Sequence, residues 1–368
     1  MDHPNQTEQT RHRYAFLAGT LGTLKPFFED PAVVEIMCNG GTDVWVESSG
    51  KITLHRNVIS GDAVKSSILM LANAADRAAL AGTATGIIDA EIPLEIFAES
   101  ARDTMANMRV AAVMAPTALR GHALCIRKHS PVVYTLDDYL ANGAFTPVKR
   151  HKVGAARTLP MAIEVLAQGG PALRDFFTWM VENKKTCLIS GATGSGKTTV
   201  FKALLGKLPI DERVITFEDT PELVVPSPNY VSLRSNALQG VTPQVLVKLA
   251  MRMRPDRIFA GELRDGTALD WLDACNTGHP GSIATLHAND AINALLRLES
   301  LALMANGAPP LASVRQRILS TIDFVVHIGK DGQPGMVEEV VEVLKQDDHV
   351  GLGYHTNTRA LYQRFLVH

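Results

Sequence analysis

Gly191 to Thr198 read GATGSGKT and fill every fixed position of the pattern G-x-x-x-x-G-K-[ST]. Glycines at such a turn let successive backbone N–H groups curl around an anion without side-chain clash. Lys197 then offers a point charge to the β- and γ-phosphates of a nucleoside triphosphate, and the Thr198 hydroxyl can hold Mg2+. An apolar stretch, TCLIS, precedes the loop, and an amphipathic one, KTTVFKALLGKL, follows it. The loop is therefore expected between a strand and a helix whose positive dipole end faces the phosphate. Gly191, Thr193, Gly194, Ser195, Gly196, Lys197, Thr198 and Thr199 form the expected binding set, with ATP and Mg2+ as ligands.

Cleaving a phosphoanhydride also needs a polarised water. Two acidic groups close apolar stretches, where an α/β sheet presents its ligand crevice. TFEDTPEL supplies Glu218, Asp219 and Glu222, and RIFAGELRD supplies Glu262. A P-loop enzyme ordinarily places an Asp at the end of the second of these strands to organise Mg2+. Gly261 holds that place here, so metal ligation falls to Thr198, water and Asp219, and Glu262 is the expected general base. NTGHPGSIATLHAND adds His279 and His287, eight residues apart. That spacing suits no zinc site. His287 ends SIATL on the expected P-loop edge, where a neutral imidazole can donate to the γ-phosphate or to Glu262. For His279, a turn histidine and a functional one remain open.

These groups need a scaffold. A chain of 368 residues suggests two domains, and 46% hydrophobic with 20% charged residues gives an ordinary globular core. The 36 basic and 38 acidic residues nearly cancel, which argues against nucleic acid or an anionic membrane as a bulk partner. Cys38, Cys125, Cys187 and Cys275 show no paired spacing, so reduced thiols in a cytoplasmic compartment are expected. No signal peptide is evident, and no run of about 18 apolar residues exists.

From the start, a helix is expected over Phe16 to Phe28, then strands EIMCNGG, DVWVE and KITLHR, the last two forming a hairpin through ESSGK. A helix follows over Gly61 to Leu80, then strands NMRVAAVM and HALCIRK. Residues 1–130 thus read as an α+β domain. Residues 131–182 read as a linker with basic loops and helical pieces, including MAIEVLAQGG. Residues 183–368 alternate strand and helix, the mark of a parallel sheet. TCLIS, RVITF, RIFAG and SIATL are its strands, and TALDWLDACNTG is a helix. Another helix opens at Thr242 and turns Val245, Leu246, Leu249, Ala250 and Met253 inward.

In order and spacing, GATGSGKTT, TFEDTPEL, RMRPDRIFAGELRD and NTGHPGSIATLHAND resemble the Walker A, Asp box, Walker B and His box of the secretion ATPase superfamily. The likeness is strongest to the VirB-class and TrbB-like type IV secretion ATPases. It implies an α/β, RecA-like P-loop NTPase domain with a smaller α+β N-terminal domain. It also implies a homohexamer, placed in the cytoplasm and held at the inner membrane through other components of a type IV secretion machine. The coupling ATPase is a further implied partner, and sequence-specific nucleic-acid binding is not implied. The expected activity is ATP hydrolysis that drives interdomain motion for pilus biogenesis or DNA–protein transfer. Arginines of the N-terminal domain reach the phosphates in that family, and the matching positions are Arg109 in NMRVA and Arg127 in CIRKHS, with Arg120 a weaker match. The pilus and type II branch often carries a tetracysteine motif, which this chain lacks. A pilus or type II ATPase, a P-loop kinase and a nucleotide-dependent assembly switch are the alternatives.

Overall fold

Alternating apolar and polar residues build the first of two compact units, which span Met1–Arg157 and Thr158–His368. The computed structural model describes residues 14, 16–74, 86–101, 107–128, 141, 159–330, 335–345, 353–354 and 357–363. In the first unit lie β1 (Val33–Asn39), β2 (Val44–Ser48), β3 (Lys51–His55), β4 (Ile87–Pro93), β5 (Asn107–Val113) and β6 (Ala123–Lys128). They pair antiparallel in the order β3-β2-β1-β6-β5-β4, with the expected β2–β3 hairpin. One face buries Ile36, Val110 and Ile126 against Val64, Ile68 and Leu71 of helix α2, Gly61–Ala74. Each such side chain contributes about 1.5–3 kcal/mol through burial. On the other parity, cross-strand pairing lines up Glu47, Glu35, Arg127, Arg109 and Glu91 across five strands.

The first helix differs from expectation. α-Helical backbone stops at Thr20, a 3-10 turn spans Gly22–Leu24, and a new helix, α1 (Lys25–Glu29), starts with Pro26 in its first turn. Proline lacks the N–H that a continuing helix needs, so it is tolerated only there. Strand β4 was not expected, because Asp89 and Glu91 interrupt its apolar run. Its alternation buries Ile88 and Ile92. Residues 75–80 of the expected second helix and most of the expected linker lie outside the described residues.

The second unit holds β7 (Cys187–Gly191), β8 (Val214–Glu218), β9 (Tyr230–Arg234), β10 (Arg257–Ala260), β11 (Ile283–Leu286), β12 (Phe324–Gly329), β13 (Met336–Val343) and β14 (Thr358–Gln363). Strands β12-β7-β11-β10-β8-β9 run parallel in that order, and β13 and β14 extend the β12 edge antiparallel. Every residue of β7, β8, β10, β11 and β12 is buried, as in a sheet covered on both faces. Phe176 of α4 (Gly170–Glu182) meets Phe324 edge-on at 5.1 Å, and Phe201 of α5 (Lys197–Leu205) meets Phe259 at 5.6 Å. Trp271 of α7 (Thr267–Asn276) is fully buried and donates to the Ile258 carbonyl.

Helix α4 fell in the stretch read as linker, yet its Phe176 and Met180 are fully buried in this core. The helix expected over MAIEVLAQGG shrinks to four residues, α3 (Ile163–Leu166). Thr242 caps α6 (Pro243–Arg252) as expected, accepting from the Val245 N–H. Val245 itself faces outward, a correction, and Val247 takes the buried place. Strand β9 and the β12–β14 edge complete the sheet beyond what was expected. Because six strands run the same way, their C-terminal ends share one edge.

Candidate active site

The phosphate loop leaves that edge from β7. Gly191 has φ +154°, and a Cβ there would lie 2.4 Å from the Ile328 carbonyl oxygen, so only glycine fits. Gly194 and Gly196 also adopt positive φ, and Gly196 opens α5. The loop closes around a buried lysine. Lys197 is 8% exposed, and its Nζ donates to the carbonyls of Gly191 and Ala192, both at 2.9 Å. Burial pushes its pKa down, partly countered by the charge of Glu262. The Ser195 hydroxyl is buried with no hydrogen-bond partner, an orphaned polar atom inside the cradle.

From Lys197 a line of polar contacts follows the strand ends in their spatial order. After β11, His287 Nδ1 lies 3.2 Å from Lys197 Nζ, and its Nε2 lies 3.2 Å from Glu262 Oε1 after β10. The same Nδ1 also lies 3.2 Å from the Gly191 carbonyl oxygen, so the ring bridges the phosphate loop and Glu262. Glu262 is held by Arg264, whose Nε is 2.8 Å from Oε1 and whose terminal nitrogen donates to Oε2 at 2.8 Å. Burial raises the Glu262 pKa, but the Arg264 fork and the neighbouring cations outweigh it and hold the carboxyl below its usual range. Arg264 then reaches Asp219 Oδ2 at 3.4 Å, past the end of β8, and Asp219 accepts from Ser235 after β9.

Glu218 ends β8 and is 5% exposed. Burial raises its pKa, opposed by the backbone N–H groups of Glu222 and Leu223, which donate to its Oε1 at 2.9 and 3.0 Å. Its side chain also explains Gly261. A Cβ at residue 261 would come within 2.8 Å of Glu218 Cγ, so the space an Asp would need is taken by Glu218.

A cavity of about 540 Å³ opens over this line. Of the expected residues, Thr193, Gly194, Gly196, Lys197, Thr198, Thr199, Glu218, Asp219, Glu262 and His287 line it, while Gly191 and Ser195 are buried in the loop. Arg264 and Thr285 also line it and were not anticipated. Glu-Leu-Arg in a strand-end turn was the available clue, since a residue two beyond a strand-end carboxylate can fold back on it. His279 lies at the opposite end of β11, where its Nδ1 meets the Pro255 carbonyl at 2.9 Å and burial lowers its pKa. Arg109 and Arg127 stand side by side in the first unit. Arg127 pairs with the buried Glu35 at 2.7 Å, and Arg109 lies 3.5 Å from Asp89. Arg120 is exposed in the turn between β5 and β6.

Residues 152–331 match the family described as Type II/IV secretion system protein. The type IV secretion system protein VirB11 of Bartonella henselae is 36% identical over 264 residues, covering 67% of this chain and 74% of that protein. The conjugal transfer protein TrbB of Rhizobium radiobacter is 30% identical, covering 86% and 85%. The chain belongs to the secretion ATPase family. The crystal structure of the VirB11 ATPase from the Brucella suis type IV secretion system, in complex with sulphate, superposes with a TM-score of 0.76 at 27% identity. It covers 90% of this chain and 96% of its own, so the likeness takes in both units, with the RecA-like architecture in the second. The chain is a type IV secretion ATPase by these likenesses, and among the described residues no helix is long and apolar enough to cross a membrane.

Proposed function

We propose that ATP is cleaved in the strand-end cavity of this secretion ATPase, and that the cleavage drives motion between its two units to serve a type IV secretion or conjugation machine. The carrying observation is the unbroken line Lys197–His287–Glu262–Arg264–Asp219 beside the phosphate loop. Lys197 would release its two carbonyls to take the β- and γ-phosphates. Glu262 would accept the proton of the attacking water, and His287, whose Nε2 lies 3.2 Å from it, would hold that carboxylate in place. Arg109 and Arg127 would be the cations that reach the phosphates. Charge brought to the transferring group from a second domain lowers the barrier and ties closure to nucleotide.

Mg2+ fits this donor set as an ion carried by the nucleotide. Among the described residues no cluster of three acidic, His or Cys side chains could hold a metal alone, and Mg2+ in phosphoryl transfer keeps waters and phosphate oxygens as ligands. The Thr198 hydroxyl and the carboxylates of Glu218 and Asp219 are the hard oxygens at hand, and a bound Mg2+ would neutralise phosphate charge. A ring of six copies, held at the inner membrane by other secretion components, completes the proposal.

Phosphate release measured with ATP and no acceptor tests it. Turnover is expected from the natural chain, and E262Q is expected to lose on the order of 10²–10³-fold while still binding ATP. Turnover that appears only when an acceptor is added would point to a kinase instead.

A further inference from the structure

Arg264 stands in the RIFAGELRD stretch without a role in the nucleotide reading, yet its guanidinium joins the cavity's two acidic strand ends. Its fork takes Glu262 Oε1 and Oε2, and its other terminal nitrogen faces Asp219. With His287 Nε2 also on Oε1, both oxygens of Glu262 are engaged. A guanidinium fork suits a carboxylate and a phosphate equally well. A carboxylate held this way accepts a proton poorly, as the lowered pKa of Glu262 reflects. General-base work therefore requires the fork to open. Arg264 is the partner free to move, its side chain 61% exposed against 20% for Glu262. Its contact with Asp219 supplies a pivot that keeps the guanidinium in the cavity while it turns.

We propose that Arg264 is a latch on Glu262: its fork holds the carboxylate, and the terminal phosphate of bound ATP draws the fork onto its own oxygens and so frees the base. The inference rests on Glu262 being that base. Exchanging one anionic partner for another changes ground-state binding little. The transition state, where charge spreads over the transferring group, gains a cation. Arg264 therefore acts on kcat more than on KM.

Steady-state ATP hydrolysis by full-length R264A and R264K, with E262Q alongside, tests the latch. R264A is expected to lose turnover on the order of 10²-fold while KM for ATP moves by less than about threefold. Added guanidinium ion is expected to restore part of that turnover, and R264K, with the charge but no fork, to stay low. Turnover of R264A within about twofold of the natural chain, with E262Q inactive, overturns the latch and leaves the base in place. Parallel loss of kcat, ATP affinity and Tm in R264A also overturns it, by showing a structural arginine. Retained turnover in E262Q overturns the base assignment, and the latch with it.

Discussion

The two ends of the parallel sheet carry the same kinds of residue to different effect. At the N-terminal end, Arg257 grips Glu212 with two nitrogens, at 2.5 and 3.1 Å, and donates to the Gly281 carbonyl, while Lys184 adds a contact at 3.1 Å. Arg257 is fully buried and Glu212 is 7% exposed. At the C-terminal end, Arg264 grips Glu262 with a similar fork, but the arginine is mostly exposed and faces a cavity. The two histidines of one motif divide the same way. His279 is fixed to a carbonyl at the closed end, and His287 sits between a lysine and a carboxylate at the open end. A buried, fully satisfied ion pair specifies packing. The same pair beside a cavity can exchange partners with a ligand.

Replacing one residue at each end breaks this comparison most sharply. R257A leaves Glu212 buried beside Lys184 alone, so the second unit should lose about 3–5 kcal/mol and its Tm should fall by roughly 10 °C. Calorimetry checks this. An unchanged Tm would make the closed end as replaceable as a surface pair.

H287A should lower turnover on the order of 10²-fold with little change in Tm, because it removes the link between Lys197 and Glu262. H279A should do the reverse, costing about 1 kcal/mol of stability while kcat stays put. Phosphate release and thermal melts on the two variants together decide it. Equal kinetic damage from both would dissolve the distinction between the two ends.

The smallest effect is on pH. Burial lowers the pKa of His279 from 6.5, so the unfolded chain binds a proton that the folded chain resists. The stability from this site is therefore fully present above pH 6.5 and is lost as the pH falls toward the folded value. H279N should flatten that decline relative to the natural chain. Melts that run parallel across the window would remove His279 as a contributor.

The open end was legible because short motifs fix local geometry. A phosphate loop needs only eight consecutive residues, and strand-end carboxylates need only the end of an apolar run. The roles of the two histidines required a further fact, namely that β11 lies between them and carries them to opposite edges. Arg264 escaped because a side chain folding back two residues within a turn leaves no periodic trace. The pairing of Arg109 with Arg127 depends on antiparallel register, set by contacts far apart in sequence. Helix α4 escaped for a related reason: its buried stripe of Phe176, Met180 and Val181 follows a loop-like stretch, and only the sheet shows what it covers.

A crystal structure with Mg2+ and a non-hydrolysable ATP analogue tests the central claim most directly. The account predicts the terminal phosphate in the strand-end cavity, Lys197 turned from its two carbonyls onto phosphate oxygens, and a water between that phosphate and Glu262 beside His287. An analogue seated elsewhere, or a terminal phosphate out of reach of Lys197, His287 and any water on Glu262, would contradict it.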